Sequence, residues 1–140
     1  MYYINSIMKN TIFKILEYSY YFSLVSLFVL YLFPGSLIGY FLYGNLGQQP
    51  DIIPNPIGTS INHLVSFICL SSLAFIMRVR DRKFINSFQF LFFTSILLEI
   101  LHYFIPNRAF EYYDLFANCI GIVLTYLLIQ LILHGVTFMI

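Results

Sequence analysis

The sequence predicts an all-α membrane fold, with four transmembrane helices in one bundle and a single domain spanning 1–140. Three observations predict it. Of the 140 residues, 60% are hydrophobic and only 9% charged, and the mean hydropathy is +0.83; a soluble domain carries about 25% charged residues. Four apolar runs reach spanning length, which is about 20 residues. The basic residues gather before the first run and between the second and third, two places that four crossings put on one side.

The first run, 12–33, ends at Pro34-Gly35. Lys14 and Glu17 near its start are three residues apart and share a helical face, where they can pair at the interface. The run is too long for the h-region of a cleaved signal peptide, about 7–15 residues, and lacks an AxA-type site after it. The connection from Pro34 to Ser60 holds four of the five prolines (Pro34, Pro50, Pro54, Pro56) and five of the seven glycines. Its first half, SLIGYFLYGNLG, is apolar and aromatic. It is expected to lie in the outer interface or over the helix ends as a short re-entrant or interfacial piece. Gly35 and Gly39 have GxxxG spacing, but at the end of a span they read as loop flexibility rather than helix dimerisation.

The second run covers 61–77, the third 84–104 and the fourth 115–133. Lys9 and Lys14 precede the first run, and Arg78, Arg80, Arg82 and Lys83 fill the loop between the second and third. By the positive-inside rule that side is cytoplasmic, and both termini face it. Arg108 is the exception among seven basic residues. Twelve Tyr and sixteen Phe stand in for the absent Trp in the interfacial aromatic belts. Cys69 and Cys119 fall inside apolar runs with no CxxC, so they read as packing residues. A net charge of +1 gives no indication of a nucleic-acid partner.

With that topology the polar residues of the spans fall at one level. His63 lies near the outer end of the second run. Glu99 and His102, at i and i+3, share a face at the end of the third; Glu99 is only roughly 8 Å below the outer boundary at 1.5 Å rise per residue. Arg108 sits in the outer loop. Asp114 and Asn118, at i and i+4, share a face at the start of the fourth run.

Each has a structural role available. Asp114 can cap the fourth helix, Asn118 can join helices, and His63 can be an interfacial histidine with Asn62 as a cap beside it. Glu111 reads as solvated. Glu99 is different, because a buried carboxylate needs a cation, a proton or a hydrogen-bonded partner; Arg108 is the basic candidate on its side apart from the histidines. Glu99-x-x-His102 with His63 and Asp114 makes four O/N groups, but the spacing is common by chance and no HExxH or second ExxH accompanies it. No metal and no cofactor are expected. The serines at Ser36 and Ser60 have no nucleophile-elbow context.

The stretch INHLVSFICL followed by ExxH-x-FIPNRAFEYYDLFANCIGI resembles the VanZ-like family of small bacterial membrane proteins. The family pattern is a DKxxH-type helix start followed by an aromatic, then E-x-x-Q, a loop with a proline and an arginine, and D-x-x-x-N-x-x-G. Those positions fall on His63 with Phe67, Glu99, Pro106, Arg108, Asp114, Asn118 and Gly121, within 60–128. Two departures count: His102 replaces the usual Gln, and Thr59-Ser60 replaces the Asp-Lys. The resemblance implies a multi-pass protein of the bacterial cytoplasmic membrane, of the kind named after a teicoplanin-resistance determinant. It assigns no reaction.

The leading functional reading is a site in the outer leaflet for an anionic lipid or lipid-linked cell-envelope intermediate. In it Arg108 clamps the oxyanion, Asp114 and Asn118 orient the arginine, and Glu99 with His63 or His102 handles protons. A second reading is catalytic, with Glu99 as base and His63 as acid on such a lipid. A third is an accessory subunit that binds a membrane-protein partner in envelope assembly, its polar cluster purely structural. Transport is the most distant, because four spans without broken helices or repeats offer no midplane site in a monomer.

Overall fold

The structure is a computed structural model that describes residues 2–51 and 58–137, with backbone alone at 2–9 and 135–137. Pro54, Pro56 and the side chain of Lys9 lie outside the described residues. Five α-helices occur in order and no strand is found among the described residues: α1 (Tyr2–Leu32), α2 (Leu37–Tyr43), α3 (Ser60–Arg80), α4 (Phe88–Leu101) and α5 (Tyr112–Thr137). Short 3-10 turns at Phe84–Asn86 and His102–Phe104 flank α4.

Among the described residues, three stretches are long and apolar enough to cross a membrane: Asn10–Leu32, Ser60–Arg80 and Tyr112–His134. They match the first, second and fourth expected runs. The third run is divided. Ser87 breaks it by capping α4, its hydroxyl accepting from Phe90 N–H at 3.1 Å. The 3-10 turn at Phe84–Asn86 takes up the residues before that cap. The α-helical part has 14 residues, a rise of about 21 Å against a hydrocarbon core of about 30 Å. A run judged on hydropathy alone does not reveal that a serine within it will start a helix.

The bundle holds an apolar core together with buried polar side chains, and its outer surface is largely apolar. On α1 the buried residues Tyr20, Leu24, Leu27 and Tyr31 form one stripe, while Ile12, Ile15, Phe22, Val25 and Val29 are exposed. On α3 the buried stripe is Ser60, His63, Phe67, Leu70, Ser71, Ala74 and Met77. The inner face of α5 is Asp114, Asn118, Ile122 and Thr125. Helices that are apolar all round suit lipid surroundings, and small or polar residues between them permit close packing.

The most extensive interface joins α3 to α5; α1 packs on α3 and α4 on α5. Gly121 makes the α3–α5 approach possible, because a Cβ there would lie 2.8 Å from Leu64 O and 3.2 Å from Ile68 N. At the basic end of the bundle, Arg80 donates to Asn10 Oδ1 at 3.3 Å and lies over the Phe13 ring. The Tyr20 hydroxyl donates to Ile85 O. Lys83 pairs with Asp81 at 2.7 Å, whereas Lys14 and Glu17 enter no ion pair among the described residues.

The expected apolar piece after α1 is the seven-residue α2, capped by Ser36, whose hydroxyl accepts from Gly39 N–H at 2.9 Å. The returning chain crosses so close that a Cβ at Gly39 would sit 1.6 Å from Gln48 O. The Gly35–Gly39 pair thus serves the loop, as its position suggests. Ser36 N–H to Leu46 O (2.6 Å) and Asn62 Nδ2 to Pro50 O (2.7 Å) fasten this loop over the start of α3.

Candidate functional site

The sequence-predicted polar residues converge at one end of the bundle. α3 supplies His63, the end of α4 and its 3-10 turn supply Glu99 and His102, and α5 supplies Asp114 and Asn118. All five are buried, with Glu99 and Asn118 at 0% exposure. Each faces inward because it falls on the inner stripe of its helix: His63 is four residues before Phe67, Glu99 follows Leu98, and Asp114, Asn118 and Gly121 share a face.

His63 Nε2 lies 3.3 Å from Asp114 Oδ2, and the other oxygen, Oδ1, accepts from the Ser60 hydroxyl at 2.5 Å. Asp114 is therefore not the N-cap of α5. The helix begins two residues earlier, at Tyr112, and the carboxylate sits in its first turn. There the helix dipole favours negative charge, and the side chain is turned across to α3. Glu99 Oε1 contacts His102 Nδ1 at 3.3 Å and accepts from Glu111 N–H at 3.0 Å, while Oε2 has no hydrogen-bond partner among the described residues. One oxygen of each carboxylate is thus held by protein donors.

Tyr31 joins the two halves. Its hydroxyl donates to Asn118 Oδ1 at 2.9 Å and meets His63 Nδ1 at 2.6 Å; its ring stacks on His102, and its carbonyl lies 3.1 Å from His102 Nε2. The hydroxyl has one proton, given to Asn118, so the His63 contact uses the ring's Nδ1–H. Asn118 bridges α5 to α1, the helix-joining role expected of it. His102 spends Nε2–H on the Tyr31 carbonyl, and its Nδ1 faces the Glu99 carboxylate.

Sequence reasoning missed Tyr31 and Ser60. Tyr31 is one of twelve tyrosines, with no polar neighbour one helical turn away to distinguish it. Ser60 stands at the lysine position of the resembled pattern; it keeps a contact to Asp114 without the charge.

Arg108 occupies the loop between α4 and α5 and does not pair with Glu99. Its Nε donates to Phe33 O at 3.2 Å and its Nη2 to Leu30 O at 2.6 Å. These are carbonyls at the C-terminal end of α1, where the helix dipole favours a cation. Desolvation pulls the guanidinium down from its ordinary value, against the fields of Tyr31, Glu99 and Asp114, which hold it up. Among the described residues, the histidine–carboxylate contacts at this end are His63–Asp114 and His102–Glu99. Glu111 is exposed as expected, yet desolvation, with Asp114 and Glu99 adding to it, raises its carboxyl above the ordinary value.

A pocket of about 130 Å³ opens between the end of α1, α2 and the start of α3, and both Arg108 and His63 line it, together with Tyr31, Ser36, Asn62 and Ser66. Glu99 and Asp114 lie behind His63 and do not line it. The pocket wall therefore presents a guanidinium, an imidazole backed by a carboxylate, hydroxyls and an amide. This set can bind an oxyanion and move a proton through His63. Behind it, ligand atoms of His63, Glu99 and Asp114 all lie within 4.8 Å of one another, close enough to hold a cation.

A family model described as VanZ/LLP1 matches residues 2–133 of the chain, a wider stretch than the 60–128 that carries the motif. No curated protein and no solved structure matches it.

Proposed function

The chain belongs to the VanZ/LLP1 family, and from that premise we propose that it binds the anionic headgroup of a membrane lipid or a lipid-linked cell-envelope intermediate. The observation that carries this reading is the pocket shared by Arg108 and His63. Among the described residues, two of the five guanidinium N–H groups are engaged, both by α1 carbonyls, which leaves three for a phosphate or carboxylate oxygen. The planar fork suits such oxyanions bidentately. Tyr31 and Asn118 hold the His63 ring in place, and Asp114 backs its other nitrogen.

The setting is part of the proposal. The chain crosses the bacterial cytoplasmic membrane four times, with α4 and its flanking turns as the third crossing. The loop around Arg78 to Lys83 and both termini face the cytoplasm, and the pocket opens at the outer leaflet. An influence on teicoplanin sensitivity would follow from engagement of an envelope precursor there. In a catalytic version the titratable pocket-lining side chain is His63, which would exchange protons through Tyr31 or Asp114; Glu99 does not line the pocket.

The accessory-subunit reading has its own supporting observation, since Arg108 ties the loop to the end of α1 whatever the pocket holds. Native mass spectrometry of the detergent-extracted protein separates the two. Wild type is expected to retain an anionic lipid, and Arg108→Ala to lose it. Arg108→Lys, which keeps the charge but not the fork, is expected to lose at least about tenfold in affinity, the equivalent of roughly 1.4 kcal/mol. Equal lipid retention in all three, with only thermal stability lowered in Arg108→Ala, would favour the structural role.

A further inference from the structure

Two carboxylates at least nine-tenths buried share one side of this cluster, Glu99 at 0% and Asp114 at 6% exposure. Buried charge of that kind needs compensation. The nearest guanidinium is turned to the carbonyls of α1, and His102, placed against Glu99 Oε1, answers at most one of the two charges. The tautomer of His63 sharpens the question. Its Nδ1–H is spent on the Tyr31 hydroxyl, so in the neutral ring Nε2 points a lone pair at Asp114 Oδ2 from 3.3 Å. Either a proton on Nε2 or a bound cation must lie between them.

We propose that His63, Glu99 and Asp114 bind a divalent transition-metal cation of the zinc or manganese class at the inner end of the Arg108 pocket. One ligand atom from each lies within 4.8 Å of the other two. Atoms bound at about 2.1 Å to a common metal lie roughly 3–4 Å apart, so small side-chain adjustments close the site. The free valences fit: Asp114 Oδ2 faces His63, and Glu99 Oε2 has no hydrogen-bond partner among the described residues.

The outer contacts fit as well. A metal-bound histidine gives its other N–H to an oxygen, and ligating carboxylates are themselves hydrogen-bonded. Here Tyr31 takes Nδ1–H, Ser60 holds Asp114 Oδ1, and Glu111 N–H with His102 holds Glu99 Oε1. A 2+ ion with two carboxylates and a neutral imidazole is electrically neutral. A mixed imidazole and carboxylate set suits zinc or manganese rather than the all-oxygen ions. Sequence spacing had included His102 in a four-membered set; the structure assigns it to hold Glu99 instead.

The site stands independently of lipid binding and is tested separately. Chelator-treated protein in detergent is loaded with ZnCl2 or MnCl2, desalted, and its metal counted by mass spectrometry. X-ray absorption on the zinc-loaded wild type reads the ligand shell. About one equivalent per chain is expected, in a nitrogen and oxygen shell with an imidazole signature. His63→Gln and Asp114→Asn are expected to weaken binding at least about tenfold. Arg108→Gln should keep the metal even where it loses the lipid, which separates failure of this site from failure of the pocket reading. Less than one-tenth equivalent in wild type, sulfur from Cys69 or Cys119 in the shell, or wild-type affinity in both ligand variants would overturn the assignment. If the variants do not fold, the wild-type stoichiometry and shell decide alone.

Discussion

Tyr31 is the residue on which the polar cluster depends, because one buried hydroxyl meets both His63 Nδ1 and Asn118 Oδ1. Tyr31→Phe keeps the ring against His102 and Phe67 and removes only the hydroxyl. The cost of leaving buried polar groups unpaired is about 1–3 kcal/mol, so a lower Tm in detergent is expected; an unchanged Tm would show that the hydroxyl is dispensable.

Glu111 offers a pH test at the same scale. Its carboxyl is raised above 4.5 in the folded chain, through desolvation first and Asp114 second. The folded state therefore holds this proton to higher pH than the unfolded state does, and stability falls as pH rises from about 4.5 through the folded value. Glu111→Gln stays uncharged. Its Tm should gain on wild type as pH climbs through that window, and a constant offset between the two would refute the shift.

At the scale of elements, the closest contact is α3 against α5. Gly121→Ala would place a methyl 2.8 Å from Leu64 O and 3.2 Å from Ile68 N. Both are backbone atoms of a helix and cannot rotate away. Separating the helices is expected to cost about 1–3 kcal/mol and to disturb the His63–Asp114 contact that spans the same interface. Unfolding by denaturant in detergent measures the first effect. A neutral result would mean that α3 and α5 are less tightly joined than their backbones indicate. The helices themselves were largely legible from hydrophobic runs and from the Pro34-Gly35 stop. The interruption at Ser87 was not, because a serine inside an apolar run can point at a neighbouring helix or cap a new one, and only the backbone path distinguishes these.

For the whole molecule, the expected crossing of α4 sets which side the site faces. In a background with Cys69 and Cys119 replaced by alanine, a membrane-impermeant thiol reagent should label Ala109→Cys from outside intact cells. Arg82→Cys should be labelled only after the membrane is opened. Labelling of both from the same side would mean that the 14-residue α4 with its flanking turns does not span. The basic loop at 78–83 and the acidic, histidine-bearing cluster lie at opposite ends of α3, so a single experiment orients both.

Composition and periodicity alone determined that this chain is helical and membrane-compatible. Nine per cent charged residues cannot cover a water-facing surface, and four apolar runs leave little choice of element. The same reading placed His63, Glu99, His102, Asp114 and Asn118 at one level, since helical spacing fixes a residue's height and face to within about a turn. It could not determine who touches whom. Arg108 was a candidate partner for Glu99, yet it caps α1; Asp114 was read as a candidate helix cap and as orienting Arg108, yet it meets Ser60 and His63; Tyr31 was not singled out at all. Those partnerships depend on how neighbouring helices are rotated about their axes. That rotation is set by packing between elements far apart in sequence, such as Gly121 against Leu64, and no local pattern records it.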